Sequence, residues 1–380
     1  MNIAINTLSV TPQRGGAKTY LVNLVRNLSN VDKDNIYYLI VSPVNESLFD
    51  IRAGNFKKIC LPLYSDNTIL RVFLEQFLLF FYIKRYKVDV LFSPGNFATI
   101  YPGCKQILVI QGPLTVKEIR RKHAPDEISW IHRLYYDLML PVSIRKADKI
   151  IAVSNDIKRN LLKQINIPEQ KILVIHEGID LAFVENKKNS EYTSSAQKPY
   201  ILFVSTLFKY KNADKLLAAF VRLKNEKRIP HLLVVVGRDP KGETEKLKKI
   251  VEREQLSEQV IFAGALPHNE LAAVYENADV FIYPSGVESF GLPVLEAMAC
   301  GTPVIASNRM SVPEISGDAA LIVDPDNVRE MSEAIYRVIS DEKLKKTLVR
   351  KGYERVRKFT WEKTAQETLK VFREVHGSVC

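Results

Sequence analysis

The sequence predicts an α/β protein of two doubly wound, parallel-sheet domains. Three observations carry this. Short β-branched runs alternate with helical patterns along the whole chain. The alternation is broken once, near the middle, by a polar stretch without periodicity. The length, 380 residues, suits two domains.

The elements follow in order. "NIAINTL" reads as a first strand and "GAKTYLVNLVRNL" as a helix with apolar residues at helical spacing. "YYLIV", "KICLPL", "VDVLFS" and "QILVI" are β-branched runs of the kind buried in a parallel sheet. Asp126 to Ile144 is predicted helical, "DKIIAVS" a strand, "NDIKRNLLKQI" a helix capped by Asn155, and "KILVIHEGID" closes the first half. The predicted domains are therefore residues 1–185, a linker at 186–198, residues 199–358, and a last segment, 359–380. The second half restarts with "PYILFVSTL", "NADKLLAAFVRLKNEK", "HLLVVVG", "ETEKLKKIVEREQL", "QVIFAG", "HNELAAVYENA" and "DVFIYPS". "AALIVD" and the helix "NVREMSEAIYRVI" follow. In such folds ligands bind beyond the carboxyl ends of the strands, so a cleft between facing domains is the expected site.

Composition narrows the function classes. Hydrophobic residues are 46% of the chain, enough for two cores. The longest apolar stretch, Arg71 to Phe92, is interrupted by Glu75, Gln76, Lys84, Arg85 and Lys87, so no membrane-spanning helix is expected. "MNIAINTLSV" lacks the charged start of a signal peptide, and Cys60, Cys104, Cys300 and Cys380 are too scattered for a disulfide or zinc framework. Both features predict a cytoplasmic protein. Of the formal charge of +11, residues 1–190 carry +9, with 26 Lys and Arg against 17 Asp and Glu. That field suits an anionic partner. His123, His132, His176, His231, His268 and His376 show no metal spacing, and "DKD" (Asp32 to Asp34) and "DPD" (Asp324 to Asp326) read as polar turns. No metal is expected.

The stretch with most chemistry is "ESFGLPVLEAMACGTPVIAS", Glu288 to Ser307. Pro293 suits a helix start and Gly301 the position past its end, so Leu292 to Cys300 is a predicted short helix fed by the turn "ESFG". The amides of Ser289, Phe290, Gly291 and Leu292 then gather at the helix's positive end, an anion site. Glu296 lies one turn in, placed to accept hydrogen bonds from two ribose hydroxyls, and Glu288 lies before the turn. A second anion feature, "STLFKYKN", puts Lys209 and Lys211 at a strand's carboxyl end. A third, "TPQRGGAKTY", sets Gly15 and Gly16 between the first strand and first helix; it is neither a P-loop nor G-x-G-x-x-G.

Taken together, "ESFGLPVLEAMACGTPVIAS" resembles the E-x7-E segment of the retaining glycosyltransferases of family 4, which have the two-domain GT-B architecture. "GGAKTYLVNL", "IIAVSNDIKRNLL", "KILVIHEGID", "ILFVSTLFKYKN", "LLVVVG", "VIFAGALPHNEL" and "WEKTAQETLKVF" sit in the family's order over nearly the whole chain. The resemblance implies that Glu288 contacts the donor sugar and Glu296 the ribose. The amides of Phe290, Gly291 and Leu292, with Lys211, would hold the diphosphate. Gly15 and Gly16 would approach it from the other domain, Gly237 would be among the donor-binding residues, and the backbone near Leu266 would meet the base. The helix Trp361 to Val375 would return to the first domain. Two positions depart from the pattern. Phe208 and Tyr210 stand where many members carry an arginine, leaving Lys209 as the candidate second cation, and Gln111 replaces a histidine near the transferred sugar. Gln111 cannot titrate, but it can hydrogen-bond a sugar hydroxyl.

The implied reaction is transfer of a hexose-type sugar from a UDP- or GDP-sugar to a hydroxyl of a glycan or lipid-linked acceptor, with retention and without a metal or resident cofactor. By family analogy the setting is surface polysaccharide assembly. The segments "KEIRRKH" (Lys117 to His123) and "YIKRYK" (Tyr82 to Lys87) would face an anionic membrane surface. Two rivals remain at this stage. One is a glycoside hydrolase using Glu288 and Glu296. The other is a non-catalytic anion binder; no aromatic-studded basic strand points to nucleic acid.

Overall fold

The computed structural model describes residues 1–12, 15–65, 67–112, 115, 117, 120, 130–180 and 199–377. The predicted linker at 186–198 and most of "KEIRRKH" lie outside them. The chain forms two compact units, one built from Met1–Gly178 together with the segment beginning at Phe359, the other ending at Lys358.

The first unit holds β1 (Asn2–Asn6), α1 (Gly16–Val31), β2 (Ile36–Val41), β3 (Phe56–Cys60), α2 (Thr68–Phe73), a π turn (Leu74–Leu78), α3 (Leu79–Arg85), β4 (Val90–Pro94) and β5 (Lys105–Ile110). It continues with α4 (Trp130–Lys146), β6 (Lys149–Ala152), α5 (Asn155–Gln164) and β7 (Ile172–Val174). All seven strands are parallel, in the order β3-β2-β1-β4-β5-β6-β7. Ile3, Ala4 and Ile5 of β1 and Val90, Leu91 and Phe92 of β4 are fully buried, which is why central strands read as unbroken apolar runs. Helix α5 corrects one expectation. Its cap is Ser154, extended at φ −153°, whose hydroxyl accepts from the Ile157 amide at 3.3 Å; Asn155 is already the first helical residue.

The second unit runs β8 (Tyr200–Val204), α6 (Ala213–Lys227), β9 (Leu232–Val236), α7 (Glu243–Arg253), β10 (Val260–Gly264), α8 (His268–Glu276), β11 (Val280–Tyr283) and α9 (Leu292–Ala299). Then come β12 (Val304–Ser307), α10 (Val312–Ser316), β13 (Ala320–Val323), α11 (Val328–Ser340) and α12 (Glu342–Val356). Its six strands are also parallel, in the order β10-β9-β8-β11-β12-β13. Leu216, Leu217, Phe220 and Leu223 of α6 pack on Phe203 and Leu233 from this sheet, the helical period meeting the strand period across one core.

The last helix, α13 (Trp361–Gly377), belongs to the first unit. Trp361 meets Tyr20 of α1 edge-on with centroids 5.8 Å apart, and Phe372 meets Phe92 of β4 edge-on at 5.3 Å. The Thr364 hydroxyl donates to the His176 carbonyl at 2.8 Å. A Cβ at Gly178 would lie 2.2 Å from the Trp361 backbone nitrogen, so only glycine lets the segment after β7 pass the start of α13.

Candidate functional site

In the second unit β8 and β11 are neighbours, but the chain leaves them toward opposite edges of the sheet. This is the point where a crevice opens beyond the carboxyl ends of the strands. The loop after β8 carries Lys209 and Lys211, and the loop after β11 carries Glu288. The loops are tied by backbone-level contacts. The Gly286 amide donates to the Tyr210 carbonyl at 2.8 Å, and the buried Asn212 side chain donates to the Pro284 carbonyl at 2.8 Å. Asn212 holds a left-handed backbone, φ +57°, where asparagine is tolerated better than most residues.

Across these loops the Lys211 ammonium pairs with Oε1 of Glu288, both side chains being only 12% exposed. The Tyr283 hydroxyl, at the end of β11, donates to the same oxygen. Burial first, and then the Glu288 charge, push the Tyr283 phenol well above its usual value, so it stays a donor. Lys211 also lies 5.2 Å from the Tyr210 ring centroid and 5.8 Å from that of Tyr283. The turn to α9 is pinned from the far side: the Ser311 hydroxyl bridges the carbonyls of Glu288 (3.1 Å) and Phe290 (3.0 Å), and the Glu288 amide donates to Met310 Sδ at 3.3 Å.

Gly291 takes φ +108° as the N-cap of α9, a backbone that side-chain-bearing residues rarely adopt. A Cβ there would meet nothing within 4 Å. The glycine is therefore required by its backbone angle, and the ground before it is clear of protein. Phe290 is buried and anchors the turn, while Ser289 and Leu292 are half-buried. Glu296 is half-buried one turn into α9, where its Oε2 accepts from the Tyr275 hydroxyl at 3.0 Å. Burial raises its carboxyl from 4.5 to about 7, against the lowering effect of that hydrogen bond. The two glutamates thus share a design, each held by the hydroxyl of a buried tyrosine, yet among the described residues only Glu288 is paired with a cation.

Other expected residues fall nearby. Lys209 is exposed, in the same short 3-10 turn as Lys211. Gly237 ends the β9 run at φ +148°, and a Cβ there would lie 1.7 Å from the Ser205 carbonyl oxygen. It lines a cavity of about 290 Å³ with Leu207, Val235, Arg238, Phe262 and Gly264. Half-buried Leu266 follows two residues after Gly264. A larger cavity, about 630 Å³, is bordered by Asp279, Gly301, Pro303 and Tyr353; it includes the residue preceding β11, the amino end of that strand, and none of the residues above. In the first unit, Gly15 caps α1 and Gly16 begins it, both exposed. The amides of Gln111 and Gly112 converge on Asn96 Oδ1, each at 2.9 Å, and Gln111 Nε2 is buried with no hydrogen-bond partner among the described residues. The acidic turns are occupied: Arg309 pairs with both Asp324 and Asp326, and Asp32 accepts from Tyr37 at 2.5 Å and Asn35 at 2.7 Å. Among the described residues no group of three His, Cys, Asp or Glu is placed to hold a metal ion.

Tyr275, Tyr283, Asn212, Met310 and Ser311 escaped the sequence reading. The tyrosines stand eight apart, as the glutamates do, but they sat inside runs read as helix and strand. Only the fold turns their hydroxyls onto the carboxylates.

Comparison with known proteins gives the family and the fold. Residues 14–183 match the family described as Glycosyltransferase Family 4, and residues 184–355 match Glycosyl transferases group 1. O-antigen chain mannosyltransferase B of Escherichia coli is 30% identical over 63% of this chain and 64% of its own length, so the match leaves about a third of that relative uncovered. O-antigen chain mannosyltransferase RfbU of Salmonella typhimurium is 27% identical over 83% of each chain. Among solved structures, sucrose-phosphate synthase of Thermosynechococcus elongatus superposes with a TM-score of 0.78 at 22% identity, over the whole of both chains. Anabaena HepE, solved with UDP and glucose, gives 0.73 at 17% identity over 98% of this chain and all of its own. These likenesses establish the GT-B fold.

Proposed function

Because the chain belongs to the family 4 glycosyltransferases, we propose that it moves a hexose from a nucleoside diphosphate sugar to a hydroxyl of a glycan or lipid-linked acceptor, with retention, in surface polysaccharide assembly. The relatives' names favour mannose as the sugar and O-antigen chains as the setting. HepE's complexes with UDP and UDP-glucose support a nucleoside diphosphate donor. The protein acts in the cytoplasm in this reading.

One observation carries the proposal: the Lys211–Glu288 pair stands at the switch point beside the amino end of α9. A diphosphate arriving there competes for Lys211. The lysine exchanges Glu288 for a phosphate oxygen, and the amides at Gly291 and Leu292 supply further positive potential. Glu288, still held by Tyr283, is then released to accept from a sugar hydroxyl. Glu296 takes the ribose hydroxyls. As the bond from the anomeric carbon to the diphosphate breaks, charge builds on the leaving oxygen, where Lys211 and the helix end lie. Loss of one such preorganised contact typically costs ~10²–10³ in rate. The acceptor oxygen bonds to the anomeric carbon on the same face and passes its proton to the leaving diphosphate oxygen. Lys211 and α9 together take the part a metal plays elsewhere.

A thermal-shift screen against UDP, GDP, ADP, their sugars and free glycans, with and without EDTA, tests this. At ~100-fold excess over Kd a native-state ligand adds ~2.7 kcal/mol. A shift with one diphosphate series that EDTA leaves intact supports the proposal and names the base. A shift with free glycans alone overturns it.

A further inference from the structure

The described residues include twelve large hydrophobic side chains that are exposed, and ten of them lie between Tyr64 and Leu138 of the first unit. Seven form two stripes. Ile69, Phe73, Phe77 and Phe81 run down α2, the π turn and α3 at four-residue spacing, each 56–83% exposed. Trp130, Leu134 and Leu138 repeat that spacing on α4, each half exposed or more. A step of four residues drifts by about 40° on an α-helix. The wider π turn at Leu74–Leu78 turns the first stripe back, so it stays on one side.

Both helices are seated on the loop between β4 and β5. Gln76 Nε2 donates to the Ala98 carbonyl at 3.2 Å, and Gln76 Oε1 accepts from the Ile100 amide at 2.9 Å. The Phe97 ring packs on Tyr135 at 4.8 Å and on Tyr136 at 4.9 Å. From the same loop Tyr101 stands out, exposed, with the Lys146 ammonium 5.2 Å from its ring centroid. The buried sides of these helices already have their partners: Leu74, Leu79 and Ile83 lie in a core with Leu8, Leu61 and Leu91. The stripes are the sides left over.

Among the described residues, the charged side chains at the carboxyl ends of these helices are basic. Lys84 and Arg85 end α3 and Lys87 follows it, all exposed, and Arg145 and Lys146 end α4 exposed. The acidic residues described on these helices are engaged: Glu75 accepts from Asn6 at 3.1 Å and faces Arg71, and Asp137 pairs with Arg120. Aromatic and aliphatic side chains on an outward face, with Lys and Arg at its ends, make a surface that lies in a membrane interface. Anionic headgroups neutralise these basic ends, which is the charge complementarity that selects a bilayer as the occupant. Among the described residues no helix is long and apolar enough to cross a membrane, so the chain would lie on the bilayer.

We propose that α2, the π turn, α3 and α4 form an interfacial anchor that inserts Phe73, Phe77, Phe81 and Trp130 into the surface of an anionic bilayer. This goes beyond attraction by basic segments, and it holds whether or not the transfer reaction is as described above.

The test uses the full chain with vesicles of phosphatidylcholine, alone or mixed with phosphatidylglycerol. The readouts are flotation and tryptophan emission. Trp361 is buried, so a change in emission reports Trp130, the other of the two tryptophans. Wild type is expected to float with the mixed vesicles and to shift its emission to the blue. The variant F73S/F77S/F81S, altered only at exposed positions, is expected to lose at least 10-fold in partition while keeping its melting temperature and any nucleotide binding. K84E/R85E/K87E is expected to lose binding to the mixed vesicles. Wild type left at the bottom overturns the proposal. So does a serine variant that floats like wild type, since binding would then be purely electrostatic. A wild-type dimer in solution that the serine substitutions dissociate would assign the stripes to a second copy instead.

Discussion

Glu296 offers a test in which stability and function should move in opposite directions. Its carboxyl is raised from 4.5 to about 7, chiefly by burial. The native state therefore holds this proton more tightly than the unfolded chain does. The associated stability is fully present below about 4.5 and is lost as the pH rises through about 7. A shift of that size corresponds to an upper limit of about 3 kcal/mol at 1.36 kcal/mol per unit. Partial access to water reduces it, so about 1–3 kcal/mol is expected. Glu296→Gln keeps an acceptor for the Tyr275 hydroxyl but never charges. Urea unfolding of both proteins from pH 4.5 to 8 should give curves that coincide at the acid end and separate as the pH rises, the variant being the more stable at pH 8. The same variant should bind the nucleotide about 10–100-fold more weakly, the cost of exchanging a charged acceptor for a neutral one. Binding to wild type should tighten as the pH rises through about 7, because ionised Glu296 is the better acceptor. A stability difference that stays constant with pH would refute this account of Glu296.

Three further outcomes follow from the same geometry. Lys211→Ala should lower turnover ~10²–10³-fold with only a modest loss of stability, since Tyr283 still donates to Glu288; turnover at the wild-type level would remove the lysine from the mechanism. Tyr283→Phe should reduce kcat by roughly 10-fold with little change in nucleotide KM, because it frees the glutamate assigned to the sugar and leaves the diphosphate contacts alone; a loss confined to KM would contradict that assignment. The two glycines should part company: Gly237→Ala places Cβ 1.7 Å from the Ser205 carbonyl oxygen and should cost more than about 3 kcal/mol in urea unfolding, whereas a Cβ at Gly16 meets nothing within 4 Å, so Gly16→Ala should fold normally and lose activity only if the donor approaches there.

The alternating architecture was legible because its signals are local. Buried parallel strands must be apolar on both faces, so "ILFVS" and "DVFIY" announce themselves. Pro293 and Gly301 mark α9 through backbone rules that need no neighbours, and Gly301 does adopt positive φ. Asn155 was misjudged as a cap because serine and asparagine are both good caps, and the backbone angle that selects Ser154 is not written in either side chain. The strand order, which makes β8 and β11 neighbours, depends on pairings between segments about 80 residues apart.

Local signals were therefore enough for the class of fold and for the turn and short helix that follow Glu288. Tertiary structure alone decided that Lys211 and Glu288 form a pair, that Tyr283 and Tyr275 each hold one glutamate, and that burial lifts Glu296 to about 7. It also decided that Phe73, Phe77 and Phe81 face outward. The physical reason is common to all of these. Periodicity and turn chemistry act between near neighbours in the chain, while charge pairing, desolvation and exposure depend on what the rest of the chain brings alongside.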